Sequence, residues 1–263
     1  MTQTLILIAI IIFGGFAGYL ERSLSINGAI AAVLVGLAVY FGFGVKGLIL
    51  LGIFFATSSY WSKYKSSAKK EIEDKLAKGT TRDWRQVLAN GGGAALLSII
   101  YFFQQDITWL IGFLVCISSS NSDTWASEIG TLSKSKPVYI RTFKRIDKGT
   151  SGAVSWLGTT AALLGSMLIA VSGTWLFQLE VYHFIIIFIF GFLGNIIDTI
   201  FGAYYQQVYH CNICGIETEK KVHCKTSAKR IKGYQLVDND MVNFLSGFIA
   251  AFLAMTFIFI VNI

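Results

Sequence analysis

The residues able to do chemistry are concentrated between positions 118 and 152. An apolar run, 107–117, leads into Ser118, Ser119, Ser120, Asn121, Ser122 and Asp123, with Glu128 five positions further on. Six cations follow: Lys134, Lys136, Arg141, Lys144, Arg145 and Lys148. Then comes the small-residue turn Gly149, Thr150, Ser151 and Gly152. Carboxylates can hold a divalent metal, cations neutralise phosphate, and a glycine-rich turn offers backbone amides to an anion. Taken together these are the parts of a phosphate-handling site. The cations alone would equally suit a solvated loop on the positive side of a membrane. That reading leaves the Ser/Asn/Asp/Glu cluster at the end of an apolar run unexplained.

Two other apolar runs end in the same way. The run 183–202 contains Asn195 and Asp198, whose spacing of three puts them on one helical face. An ionisable residue within a span is costly and usually functional. The run 241–261 is preceded by Asp238, Asn239 and Asp240, with Asn243 a turn later. One such residue would serve as an N-cap, but capping does not need four. Arg82, Asp83 and Arg85 lie close to another run, 88–103, where they could reach a site or simply belong to a solvated charged segment. Asn90 and Gly91–Gly93 at the start of that run could admit a ligand, or serve helix packing as the other glycines do. Geometry restricts the first cluster. Asn121, Thr124 and Glu128 share a face of a regular helix, whereas Asp123 points away from it. A single ligand held by Asp123 and Glu128 would require the helix to break or turn.

Between the last two runs, Cys211 and Cys214 have the Cys-x2-Cys spacing of a zinc knuckle, and Gly215 permits a tight turn. His223 and Cys224 could complete a closed tetrahedral site with three thiolates and one imidazole. Neighbouring ligands are sterically awkward, which makes His210 a competing fourth ligand. The alternative is free thiols in a reducing compartment. Cys116 lies in a span and is expected to be inert. Four clustered cysteines do not suggest a disulfide scaffold.

These groups must be positioned by spans. The chain has 263 residues, 54% hydrophobic and 14% charged, with one proline, and a mean hydropathy of +0.60. A soluble domain carries about 25% charged residues, so the composition points to a polytopic membrane protein. The expected fold is an all-α membrane bundle, a single domain of about eight transmembrane helices. Its cytoplasmic loops include a 203–240 insert carrying the Cys/His knuckle at 210–224. The apolar runs are 5–20, 27–43, 47–60, 88–103, 107–122, 153–172, 183–202 and 241–261. The first has no basic leader and no small-residue cleavage site, so it is expected to be retained. With the N-terminus outside, the inside segments 21–26, 61–87, 123–152 and 203–240 hold 21 of the 22 Lys and Arg residues. Only Lys46 falls outside. This asymmetry predicts eight spans, external termini and a cytoplasmic site. It also accounts for the net charge of +7 without nucleic acid. The segment 63–85 reads as a charged interfacial helix.

Several stretches together resemble a known family. These are 122–130, the Gly149–Gly152 turn with Val154 and Ser155 after it, Gly194 to Thr199 with Gly202, and 238–243. Over nearly its whole length the chain resembles the integral-membrane family called domain of unknown function 92, also known from transmembrane protein 19. Characterised plant members of that family are phytyl-phosphate kinases. More distantly, the pattern Asp-x2-Ala-Ser-x-Ile-Gly, then Lys, then Gly-Thr looks like CTP-dependent dolichol and phytol kinases and CDP-diacylglycerol synthases. The resemblance implies transfer of a phosphoryl group from a nucleoside triphosphate, CTP foremost, to a prenyl monophosphate such as phytyl, geranylgeranyl or farnesyl phosphate. It implies Mg2+ on Asp123 and Glu128, with Asp198 or Asp240 as a further ligand or base. Triphosphate contacts would come from Lys144, Lys148, Gly149, Thr150 and Ser151. Asn121, Asn195, Asn239 and Asn243 would read the nucleotide or the acceptor phosphate. The expected location of the chain is the plasma membrane. The Cys211–Cys224 knuckle is absent from some relatives, so zinc is not expected to take part in the chemistry. A cytidylyltransferase would use the same pocket. A lipid or anion transporter would instead place polar residues deep in several spans.

Overall fold

The apolar runs begin at residues able to satisfy the free N–H groups of a first helical turn. Ser25 accepts from the Gly28 amide at 3.1 Å and opens α2 (Ile26–Lys63). Asp83 and Gln86 form a reciprocal capping box, with bonds of 3.0 and 3.1 Å, at the start of α3 (Trp84–Gln104). Asp106 caps α4 (Ile107–Gly130), and Ser155 caps α5 (Trp156–Phe177). Asp238 accepts from the Met241 amide at 3.0 Å in the first turn of α7 (Asn239–Val261). α1 (Thr2–Leu20) and α6 (Val181–Tyr204) complete the set. The computed structural model describes residues 2–65, 79 and 81–261. Most of the charged segment 63–85, expected to be helical, lies outside the described residues.

Seven helices stand among the described residues, not eight. The runs 27–43 and 47–60 belong to the single element α2, which is interrupted at Gly44 (φ 62°, ψ −149°). That conformation is open to glycine and strained for other residues. The chain folds back there. Gly47 lies against both Val39 and Phe43, and Arg82, bridged to Leu24 just before α2, also reaches Ser59 near its end. Both ends of α2 therefore lie on one face of the bundle.

The same face gathers the other polar helix ends. Lys63 pairs with Glu21 at 3.4 Å, Arg85 bonds to Asp238, and Gly130 abuts Gly158. The opposite face holds Phe43, Tyr101 and Phe177, with Lys46 over the Phe177 ring at 5.6 Å. Among the described residues, five helices, α2, α3, α5, α6 and α7, are long and apolar enough to cross a membrane. Their outer faces carry large exposed apolar groups such as Phe103, Trp175 and Phe259, as a lipid-facing surface requires.

α4 is the hub. It packs on α2, α3, α5, α6 and α7, and its thirteen residues 110–122 are all buried. Because neighbours cover every side, this helix can carry hydroxyls and an amide in mid-bundle without facing lipid. Ser118, Ser120, Asn121 and Ser122 find partners on neighbouring helices. Ser118 meets Ser166 at 2.9 Å, Ser122 donates to Ala162 O at 2.9 Å, and Asn121 donates to Gly165 O at 2.8 Å. α6 approaches closely because a Cβ at Gly191 or Gly194 would lie 2.0 Å from the Ser118 or Ser119 hydroxyl, the small-residue packing typical of membrane helices.

Short strands join the spans on the polar face. β1 (Val138–Tyr139) pairs antiparallel with β2 (Ala153–Val154), closing the basic loop. Between α6 and α7, β3 (Val208–His210) sits between β4 (Glu217–Thr218) and β7 (Lys229–Lys232), and β5 (Val222–His223) forms a hairpin with β6 (Thr226–Ser227).

Candidate active site at the polar end of the bundle

The helix ends on the polar face surround an open cavity of about 1050 Å³. At its floor, Asp123 of α4 accepts from Asn195 Nδ2 of α6 at 3.1 Å, and the Asp198 carboxyl lies beside it. Asp198 in turn accepts from Ser246 Oγ of α7 at 3.1 Å. With its amide nitrogen turned toward the acceptors, Asn243 donates to Asp198 at 3.1 Å and to Asn239 O at 3.0 Å. Three helices thus contribute one polar knot. Two adjacent carboxylates repel when both are ionised, and a divalent cation or a shared proton relieves this.

α4 runs unbroken through this region, so Asp123 and Glu128 face different neighbours. Glu128 accepts from Ser62 Oγ of α2 at 2.7 Å. Arg82 donates to Ser59 Oγ at 3.0 Å and to Ser62 Oγ at 3.4 Å, and its charge acts on Glu128. Burial lowers the Arg82 pKa, and Glu128 works against that shift. The structure therefore brings Asp123 together with Asp198, while Glu128 joins an Arg82–Ser62 cluster on another wall of the same cavity.

Of the remaining expected site residues, Lys148, Gly149, Thr150, Ser151, Asn195, Asn239 and Asn243 line the cavity, as does Asp240. Asp240 also pairs with Arg85 at 3.6 Å. Two residues lie elsewhere. Asn121 is buried between α5 and α2, where it accepts from Thr57 Oγ1 at 3.1 Å and donates to Gly165 O. Lys144 is not on the cavity wall; its carbonyl accepts from the Tyr139 amide. The turn 149–152 is held against α6 because Gly152 (φ 84°) comes so near Ala203 that a Cβ would lie 2.5 Å from its Cα.

Sequence reasoning did not single out Gln206, Glu219, Lys220 or Lys221, which also reach the cavity. Glu219 accepts from Ser151 Oγ at 2.8 Å and from Gln206 Nε2 at 2.7 Å. It sits inside the cysteine segment, and no local signal marks it. The capping signature Asp83-x-x-Gln86 could have placed Arg82 and Arg85 at the membrane end, where both line the pocket.

The Cys211, Cys214, His223 and Cys224 side chains offer ligand atoms that all lie within 4.8 Å of one another. His210 is instead paired in the sheet, opposite Glu217 and Lys229. Donation from the Cys214 amide draws the Cys211 thiol down to about 6, and the Cys214 side chain pushes the Cys224 thiol up to about 11. Cys116 is buried in α4, its thiol directed at Gly247 O at 3.6 Å.

A multi-pass helical membrane protein with an acid-and-cation pocket at one end is the class that fold and pocket define. The profile of the family described as integral membrane protein DUF92 matches residues 9–251, and the chain belongs to that family. It is 31% identical over 265 residues to Protein PGR of Arabidopsis thaliana, covering 90% of each chain. An uncharacterised membrane protein of Methanocaldococcus jannaschii is 36% identical over 191 residues, covering 71% of this chain and 76% of that one. Protein VTE6, chloroplastic, of Arabidopsis thaliana is 25% identical over 247 residues, covering 91% of this chain and 67% of the relative. No solved structure matches the chain significantly.

Proposed function

We propose that this protein is a membrane-embedded prenyl-phosphate kinase that uses a nucleoside triphosphate, CTP foremost. The observation that carries this reading is the Asp123–Asp198 pair at the floor of a cavity whose walls also hold Arg82, Arg85, Lys148 and the 149–152 turn. Acids, cations and backbone amides on one open pocket suit a substrate with several phosphates. The resemblance noted in the sequence supplies the prenyl acceptor, and the membrane setting agrees with it. Phytyl, geranylgeranyl and farnesyl monophosphates are the acceptors to consider.

The donor set fits Mg2+, which prefers hard oxygen ligands and is commonly held by one or two carboxylates plus substrate phosphates. Asp123 and Asp198 would hold it, with the Asn195 and Asn243 side chains at hand. When bound, Mg2+ supplies charge neutralisation across the triphosphate. Glu128 would act through Arg82 instead, orienting a guanidinium toward phosphate. Lys148 and the 149–152 turn would bind the triphosphate, and Arg85, steered by Asp238 and Asp240, would meet the acceptor phosphate. An acceptor phosphate oxygen attacks the γ-phosphorus. The bond between the γ-phosphorus and the β–γ bridging oxygen breaks, leaving a prenyl diphosphate and a nucleoside diphosphate. Such transfer depends on positioning and electrostatics more than on a covalent nucleophile.

By the positive-inside rule the polar face would be cytoplasmic, in a plasma membrane, with both termini outside. Deeper in the bundle, Ser118 and Ser122 bond to the neighbouring α5. They offer no continuous polar path, which favours chemistry at one face over transport. The test uses protein in detergent with Mg2+, γ-labelled CTP or ATP, and the three prenyl monophosphates. Label in a lipid diphosphate, lost in Asp123→Ala and Asp198→Ala, is expected. Label leaving as pyrophosphate, with the cytidine monophosphate group joined to the lipid phosphate, would replace the kinase by a nucleotidyl transferase. No turnover with any donor and acceptor would overturn the enzyme reading.

A further inference from the structure

The segment between α6 and α7 carries a cluster that the pocket chemistry does not use. The His223 Nδ1 atom stands 3.4 Å from Cys214 Sγ and 3.3 Å from Cys224 Sγ. A tetrahedral zinc centre with Zn–S near 2.3 Å and Zn–N near 2.0 Å has S···N edges of about 3.5 Å and S···S edges of about 3.8 Å. The two S···N spacings lie close to that edge, and all four ligand atoms fall within 4.8 Å of one another. The difficulty of adjacent ligands is resolved by the backbone. Cys224 and Lys225 (φ 49° and 62°) form the two-residue turn of the β5–β6 hairpin, and this swings the Cys224 thiol to the same centre as the preceding imidazole. On the other side, the Gly215 amide bonds to Cys211 O at 2.9 Å and the Cys211 amide to Ile216 O at 3.0 Å, giving the knuckle turn that presents Cys211 and Cys214.

Three soft thiolates and an imidazole select zinc over the hard cations. Four protein ligands leave no open position, so such an ion builds structure and activates no water. What it would build is the loop 215–222, closed at both ends by ligand pairs. This loop carries Glu219, whose carboxylate is hydrogen-bonded to Ser151 of the glycine turn and to Gln206 beyond the end of α6. Lys220 and Lys221 of the same loop line the cavity.

We propose that Cys211, Cys214, His223 and Cys224 bind one Zn2+, and that the ion pins the 215–222 loop as a wall of the pocket, setting the 149–152 turn through Glu219. Neither half rests on the kinase reading, because both are read without substrate. Full-length protein purified in detergent from zinc-supplemented cells is expected to carry about one zinc per chain by elemental analysis. Cys214→Ser and His223→Ala should each abolish this, and His210→Ala and Cys116→Ser should retain it. Removal of zinc by a chelator should speed amide hydrogen exchange in 215–222 and in 149–152 by about threefold or more, reversed by added zinc. Glu219→Gln should keep the zinc yet loosen 149–152. Zinc-free protein, a Cys211–Cys214 disulfide by mass spectrometry, or full zinc in His223→Ala would overturn the site. Unchanged exchange after zinc removal, or in Glu219→Gln, would overturn its role in holding the wall.

Discussion

If Glu128 works through Arg82, the two residues should be coupled in stability and Glu128 should be separable from metal binding. Arg82 donates one good hydrogen bond, 3.0 Å to Ser59, and a weaker one, 3.4 Å to Ser62, which itself donates to Glu128 at 2.7 Å. Losing the good bond costs about 1 kcal/mol. Both residues are half-buried, so their charge interaction falls between about 0–1 kcal/mol for exposed pairs and about 3–5 kcal/mol for breaking a buried one. About 1–2 kcal/mol is a fair intermediate, which puts Arg82→Ala at roughly 2–3 kcal/mol in total. In Glu128→Gln the arginine keeps its bond to Ser59 but has no charge partner to lose, so the double variant Arg82→Ala/Glu128→Gln should be more stable than the sum of the singles predicts, by about 1–2 kcal/mol. The assay is a double-mutant cycle by denaturant or thermal unfolding in one detergent. The same variants should be assayed for Mg2+ dependence, which should be unchanged in Glu128→Gln and shifted to higher concentration in Asp198→Asn. A coupling below about 0.5 kcal/mol, or a Mg2+ requirement raised in Glu128→Gln as much as in Asp198→Asn, would refute the reasoning.

Gly194→Ala should destabilise by about 1–3 kcal/mol through overpacking against Ser119, and Ser119→Gly in the same chain should restore most of the loss in thermal unfolding. Asp83→Ala should cost about 1 kcal/mol through the broken capping box and, because α3 begins beside Arg82 and Arg85, should raise KM for phosphate-bearing substrates. Lys148→Ala should raise KM for the nucleotide about tenfold or more, as loss of a charge-assisted phosphate contact does, while Lys144→Ala, away from the cavity, should leave it within about twofold. Both are read in steady-state kinetics.

The spans and their common polar face were legible because membrane burial acts on composition and loop charge, and both are local properties. The gathering of Asp123, Asn195, Asp198 and Asn243 was also legible, from three helix ends bearing costly polar groups. Which acids meet was not. Helical phase already separates Asp123 from Glu128, but only the tertiary placement of α6 and α7 brings Asp198 to Asp123 and leaves Glu128 to α2 and Arg82. The resemblance supplied the pair Asp123 and Glu128 as metal ligands, and an unbroken α4 does not seat them side by side. The resemblance implied that Asn121 reads a ligand, and an amide in an apolar run does need an explanation. The explanation here is the backbone carbonyl of Gly165, an acceptor that any helix can provide.

The fold-back at Gly44 changed the count of elements without changing which face each run begins and ends on, because a turn within α2 serves as well as a loop between two helices. Glu219 is the instructive omission. Its partners Ser151 and Gln206 lie 68 and 13 positions away, and nothing in its own neighbourhood marks a pocket residue. Local sequence marks the four atoms that could bind a metal. What the loop between those ligands is held against depends on where α6 ends and how closely Gly152 approaches Ala203, distances set only once the bundle has packed. The soft-ligand cluster and the hard-oxygen pocket therefore read in sequence as separate sites, and the packed bundle joins them through one carboxylate.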